Sequence, residues 1–400
     1  VPKDLRKLNE SSYTPHLIAI GPFHRKDKQL QTSMEQIKLR YARDLLCQVA
    51  DKKGGSEVLQ KCAEKMMERE EEARKHYAEV TENDAEMWKR MLIGGCFILE
   101  LLYSHYIKSQ EVDPILDIKL TESLVKQDLL LLENQIPYFV LEDLFELTVK
   151  QILGDHVTGC ACKLSLSGYG GDDYKIRDGG YMHILHLLHK YYRLGQREKE
   201  TPPRKAKYKE LPRPASDLDD AGVKFVTGKA NHSWKVKFTE PPNRIAWWFH
   251  RARFEIPSLY IHDSTEPFLR NLIAFEQCCP TCPEIQPWVT SYAKLMDMLI
   301  NTEKDVKVLK KAEVVHNYLG KDEDVSDLFN KLCQGVVIGD QFFFNDKCQD
   351  AYKYSKHWWP KLIAYWKRSY FDSPWAFRGV CVAIIIFGIQ VANCIRNFLK

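Results

Sequence analysis

The sequence predicts a mainly α-helical globular body with a small antiparallel β insertion and a C-terminal transmembrane helix. Three observations predict it. Apolar residues recur at helical spacing through most of the chain. Three short alternating runs cluster between residues 222 and 262. The segment from Gly379 to Ile395, GVCVAIIIFGIQVANCI, carries no charge. A bilayer core of about 30 Å needs ~20 mostly apolar helical residues, and Trp375, Ala376 and Phe377 extend this stretch on the far side of Arg378. The expected division is a body over 1–371 and an anchor over 375–398.

Taken in order, residues 1–30 are punctuated by Pro and Gly and are expected to be extended. Ser33 with Gln36 three positions on forms a capping-box pattern, so a helix should run to residue 51, ended by Gly54-Gly55. A second helix is expected over 56–82, with Val58, Cys62, Met66 and Ala73 on a thin apolar stripe and the Glu, Lys and Arg run on a solvated face. A third, over 85–107, contains MLIGGCFILELLYSHY, apolar nearly all round, and belongs deep in the core.

The fourth predicted helix, 121–153, is interrupted at LLLLENQIPYFVLEDLF. Pro137 lacks a backbone donor and should break or kink it. The polar triplet Glu133-Asn134-Gln135 beside that break can satisfy freed backbone groups; a catalytic Glu133 is the alternative. Another helix is expected over 180–194. Residues 195–221 are basic and Pro-rich and read as a linker or loop. The β insertion over about 222–262 should hold strands at GVKFV, WKVKFT and FEIPSLYIH. Helices are expected again at 264–278, 287–301, 305–316, 324–333 and 348–370.

Fifty-eight basic and 54 acidic residues leave a net charge of +4, which gives no case for nucleic-acid binding. Twelve scattered cysteines suit reduced thiols better than a disulfide scaffold. The chain opens at Val1 rather than Met, so a preceding piece is expected. Lys356, Lys361, Lys367, Arg368 and Arg378 precede the anchor and only Arg396 and Lys400 follow it. That asymmetry places the body of a single-pass protein in the cytosol. Asn9-Glu-Ser11 and Asn231-His-Ser233 are glycosylation acceptors that would report the opposite orientation.

No residue set declares a catalytic, cofactor or metal site, and no cofactor is expected. The nearest approach to a metal set is Cys160 and Cys162 with His183 and His186, about 20 residues downstream. Histidines spaced by three on a helix diverge, and an amphipathic helix with His183, His186 and His189 flanking Ile184, Leu185, Leu187 and Leu188 is the plainer account. Cys279-Pro-Thr-Cys282 is a C-x-x-C pair, but it follows a helix, the wrong end of the dipole for lowering a thiol pKa. The glycines at 168–171 lack the Gly-Lys-Ser/Thr of a phosphate loop.

Several stretches together resemble the plant family called domain of unknown function 247: VPKDLRKLNESSYTPHLIAIGPFHR, MLIGGCFILELL, QDLLLLENQIPYFVLEDLF, FEIPSLYIHDSTEPFLRNLIAFEQC and the terminal FDSPWAF with the segment after it. Gly94 departs from the pattern, which usually has Asp there. The resemblance implies a single-anchor membrane protein of the plasma membrane or an endomembrane, without established activity, cofactor or metal. Some relatives are linked to reproductive development and pollen-side self-incompatibility, where they recognise small partner proteins. The function expected is therefore recognition or signalling through protein–protein contacts, with an unknown protein partner and the membrane. The charged helix 56–82 or the 195–221 loop are the candidate surfaces. An enzyme with a site near Glu133 or His183–His189, or a structural membrane organiser, are the alternatives.

Overall fold

The computed structural model describes residues 1–24, 34–53, 56–77, 86–107, 113–154, 180–194, 213–228, 235–242, 250–279, 282, 285–338, 342–358, 362, 378–379, 382, 385–392 and 396. Helix α1 spans Lys3–Leu8, α2 Met34–Lys53, α3 Ser56–Arg74, α4 Met87–Ile107, α5 Lys119–Asp128, α6 Tyr138–Leu147, α7 Val149–Leu153 and α8 Ile184–Leu194. After α9 (Ala215–Asp220) come β1 (Val223–Thr227), β2 (Lys237–Thr239), β3 (Ala252–Ile256) and β4 (Leu259–Ile261). The order closes with α10 (Thr265–Cys278), α11 (Trp288–Leu299), α12 (Glu303–Lys311), β5 (Val315–Asn317), α13 (Asp322–Leu332) and α14 (Asn345–Lys356).

The apolar patterns decide what is buried. The stripe of α3 holds, with Cys62, Met66 and Ala73 buried against α4 and α6. Helix α4 is buried on every side from Met91 through Leu92 and then from Gly94 to Ser104, as its nearly uniform apolarity requires. It sits between α2, α3 and α6. A Cβ on Gly95 would fall 2.4 Å from Leu144 Cδ1, so a glycine is what lets α4 and α6 approach. One cluster of buried side chains runs from Ile18 through Phe97, Phe254 and Phe275 to Tyr354.

The helix expected over 121–153 is broken into α5, a single 3₁₀ turn at Leu132–Asn134, α6 and α7. Pro137 caps α6 at φ −58° and ψ 140°, an extended geometry that ends one helix and starts the next. Part of the expected linker, Ala215–Asp220, is the helix α9; residues 195–212 lie outside the described residues.

The β insertion is mixed rather than antiparallel. Strand order is β1-β3-β2, with β1 parallel to β3 (Val223↔Ala252) and β2 antiparallel to it (Phe238↔Phe254). A long connection joins β1 to β3, and such a crossover permits parallel pairing where a tight hairpin would not. The expected third strand is two. Pro257 has no N–H to continue the ladder, and β4 leaves to pair in parallel with β5 in a separate two-stranded sheet.

The expected C-terminal transmembrane helix is overturned. Among the described residues, no helix is long and apolar enough to cross a membrane. The described helical run in that segment, 385–392, rises about 12 Å against a core of ~30 Å. Even the whole uncharged stretch 379–395 would rise only about 26 Å, and Gly388, Gln390 and Asn393 interrupt its apolar run. The membrane partner, the single-pass location at a plasma or endomembrane and the cytosolic orientation read from flanking charges all rested on that span and fall with it.

Candidate functional site

The polar residues near the break between α5 and α6 bind backbone. Residues 14–21 form a strap that, among the described residues, joins no sheet, so its polar groups need other partners. Asp128, fully buried, supplies three. Its Oδ1 accepts from His16 N at 2.8 Å, and its Oδ2 accepts from Leu17 N and Ile18 N at 2.7 and 2.9 Å. Burial pushes its carboxyl above the ordinary value, although these three amides pull the other way.

Asn134 holds the next turn of the strap. Its Oδ1 accepts from Ile20 N (2.6 Å) and Gly21 N (3.2 Å), while Nδ2 donates to Ile18 O and Asp128 O (2.8 and 2.9 Å). Gln135 Nε2 donates to Leu129 O and Leu131 O, and its Oε1 accepts from Leu185 N at the start of α8. Asn271 on α10 accepts from Leu132 N and donates to Ser12 O. Two members of the triplet thus satisfy the backbone freed at the break, as expected for polar side chains there.

Glu133 points elsewhere. Its Oε2 lies 2.6 Å from Arg6 Nη1 and 3.7 Å from buried His24 Nε2, and its side chain is 6% exposed. The carboxylate therefore pins α1 and the far end of the strap to the core. Tyr13 and Cys278 lie within its field, and burial raises both of their pKa values. A cavity lined by Leu218, Phe254, Met298, Cys348 and Tyr352 has about 10 Å³, room for roughly one water.

Cys160 and Cys162 lie outside the described residues. His183 and His186 are at the N-terminus of α8, where each Nδ1 accepts a backbone N–H: His186 N reaches His183, and Met182 N reaches His186, both at 3.1 Å. Both rings pack on Phe275, at 5.0 and 5.3 Å. Burial, with His186 and His76 nearby, pulls the His183 imidazole down to about 3, so it stays neutral. Among the described residues, no group of three or more His, Cys, Asp or Glu could hold a metal.

The third histidine finds a different partner. His189 Nε2 lies 2.7 Å from Glu276 Oε1 in the core. The same carboxylate accepts from Val289 N, Thr290 N and Thr290 Oγ1 at 2.9, 2.8 and 2.6 Å. These belong to the first turn of α11, where Pro287 offers no side-chain cap and where an anion is favoured by the helix dipole. Sequence reasoning missed this pair. The available signal was a lone acidic residue within the apolar run LIAFEQ.

The outer face of the β4–β5 sheet carries rings instead of apolar aliphatics. Tyr260 pairs in register with His316, their rings 4.4 Å apart and 9° from parallel. One step along, His262 and Tyr318 stack at 4.4 Å and 19°, and the two tyrosines lie 6.3 Å apart. Tyr260 and Tyr318 are 53% and 60% exposed, while Ile261 and Val315 face inward. The sequence signal was an alternation, Tyr-x-His and His-x-Tyr, at strand spacing. By contrast, the charges on α3, one of the two expected surfaces, are largely paired with each other: Lys61 with Glu57, Lys65 with Glu68 and Arg69 with Glu72 and Asp143. The other, the 195–221 loop, is described only from residue 213.

Residues 1–389 match the profile of domain of unknown function 247, a plant protein family of unknown function. The chain belongs to this family. The chain is similar to UPF0481 protein At3g47200 of Arabidopsis thaliana, 27% identical over 405 residues that cover 96% of this chain and 83% of that protein. It is also similar to the putative UPF0481 protein At3g02645 of the same plant, 22% identical over 500 residues covering 100% of this chain and 90% of the relative. No solved structure matches. At Gly94 an added Cβ would lie 3.3 Å from Ile20 Cγ2 and 3.5 Å from Ile20 O. A longer side chain there would meet the strap.

Proposed function

We propose that this member of the family acts in recognition or signalling, through protein–protein contacts rather than turnover. The observation that supports this reading is the exposed ladder of Tyr260, His262, His316 and Tyr318. Tyrosine combines a large contact area with low conformational entropy cost, and it is enriched among the residues that dominate binding energy at interfaces. The buried titratable groups described above, by contrast, are engaged in holding backbone or packing. The link of relatives to pollen-side recognition makes floral tissue the first source of partners.

The test uses the full chain and its Tyr260→Ala/Tyr318→Ala variant. Partners from floral extract are crosslinked and identified, and each is then purified and titrated against both proteins. Truncating two central tyrosines should weaken a direct partner by ~30-fold or more, at about 2 kcal/mol or more for the pair, while losing the stacks on His316 and His262 should cost only about 0.4–2 kcal/mol of stability and leave the protein folded. Equal affinity of every purified partner for the two proteins would remove the ladder as the recognition surface.

A further inference from the structure

We infer that Cys279 and Cys282 are a closable dithiol, a site of covalent modification by small-molecule disulfides. This inference is independent of the recognition proposal. Cys279 follows the last residue of α10, and Cys282 N donates to Cys279 O at 3.3 Å. That i→i+3 bond draws the two Cα atoms to within about 7 Å, the range a disulfide spans. The two thiols also lie within each other's field, Cys282 being among the groups that push the Cys279 thiol up. Both are free and half-buried, beside the exposed Cys278. The pair therefore has a backbone bond that draws the two residues together, neighbouring thiols and partial access from solvent.

The chemistry balances with one molecule of oxidised disulfide, RSSR. Cys282 sulfur attacks one sulfur of RSSR, and the departing RS⁻ takes up the proton released by Cys282. Cys279 then loses its proton and its sulfur attacks Cys282 sulfur in the mixed disulfide, expelling the second RSH. Two protein thiols are oxidised to one disulfide, and one RSSR is reduced to two RSH. Burial holds the Cys279 thiol up at about 11, so Cys279 is mostly protonated at neutral pH and acts second, on the mixed disulfide formed beside it. Closure fastens the end of α10 to the segment leading into α11, whose first turn Glu276 caps.

The junction explains why closure matters to the fold. Glu276 lies three residues before Cys279 on α10, and its carboxylate reaches forward to Val289 and Thr290. A covalent link between Cys279 and Cys282 restrains that reach, so oxidation should protect the first-turn amides of α11 from exchange.

The full chain, fully reduced, is incubated with oxidised glutathione, alkylated, digested and mapped by mass spectrometry, and amide exchange of α11 is followed alongside. Wild type and Cys278→Ser should both yield a Cys279–Cys282 disulfide that dithiothreitol reopens. Closure should accelerate about tenfold per pH unit below the thiol pKa, and exchange of Val289 and Thr290 amides should slow. Cys279→Ser and Cys282→Ser should hold a glutathione adduct on the surviving thiol. The wild-type map alone decides the matter if a variant fails to fold. Stable glutathione on Cys279 or Cys282 of the wild type without closure, a disulfide to Cys278, or a reduced pair while exposed Cys47 is modified would each overturn the inference.

Discussion

Replacing Asn134 by alanine removes four buried hydrogen bonds at once. Ile20 N and Gly21 N lose their acceptor, and Ile18 O and Asp128 O lose a donor. A net hydrogen bond is worth about 1 kcal/mol, and a buried group left unpaired costs ~1–3 kcal/mol. Asn134 is 1% exposed, so water does not replace the lost partner without local opening. The expected loss is about 3–6 kcal/mol, a large share of the ~5–15 kcal/mol that a folded domain commonly has. Urea unfolding followed by tryptophan fluorescence measures it, with hydrogen exchange at Ile20 and Gly21 reporting whether the strap detaches first. Gln127→Ala, which breaks only an exposed bond to Ser123, is the control and should stay within about 0.5 kcal/mol. Combined with Asp128→Ala, the Asn134 loss should be less than additive, because both side chains hold the same strap. A loss under ~1 kcal/mol with the two amides still protected would refute the assignment of Asn134 as the clamp of the strap.

Gly21→Ala and Gly94→Ala should diverge in thermal unfolding: the first places Cβ 2.7 Å from the Gln135 carbonyl oxygen, which is backbone and cannot swing away, and should cost about 1–3 kcal/mol. The second meets only Ile20 at 3.3 Å and gains helix propensity, so it should stay within about 1 kcal/mol of neutral. Asp305 supplies a pH prediction. Burial pushes its carboxyl up, but bonds from Ser216 and Thr302 outweigh that and hold it below its ordinary value. Its stabilisation is therefore complete above the unfolded pKa, about pH 4, and is lost as pH falls through the lower folded value. Asp305→Asn should flatten this acid limb in stability measured across pH 2–5, and an unchanged slope would exclude Asp305 as its source.

What was legible in the sequence followed from local periodicity. The stripe Cys62, Met66 and Ala73 repeats at helical spacing, and α4 is apolar on all faces, so burial of both could be read without tertiary information. Pro137 announced an interruption before α6 because the missing N–H is a local fact. What the break's polar neighbours hold was not legible: Asn134 reaches residues more than a hundred positions away, and no window of the chain contains both partners. Strand β5 was hidden for a related reason. Its residues continue the apolar pattern of α12, but Glu313 adopts φ 57°, a left-handed conformation that ends the helix and turns the chain to pair with β4. The direction of β1 against β3 and the splitting of β3 from β4 likewise depended on connections rather than composition.

The residues that looked most like chemistry illustrate a general consequence of burying backbone outside regular structure. A strap that joins no sheet must find an acceptor for each buried N–H, and carboxylates and amides are the side chains that can take several at once. Asp128 accepts three and Glu276 accepts two from backbone, one from Thr290 Oγ1 and one from His189. Buried Asp128 and Glu276 are thus first acceptors for backbone amides, and the position of each follows the strap or the helix end it serves. The rings of Tyr260, His262, His316 and Tyr318 have no such obligation. They stand on the outer face of a three-residue strand pair whose inward side chains, Ile261 and Val315, already fill the core. Exposed aromatic area that folding does not require is where a partner would gain most, and that is why the ladder, rather than the buried carboxylates, is the surface to perturb.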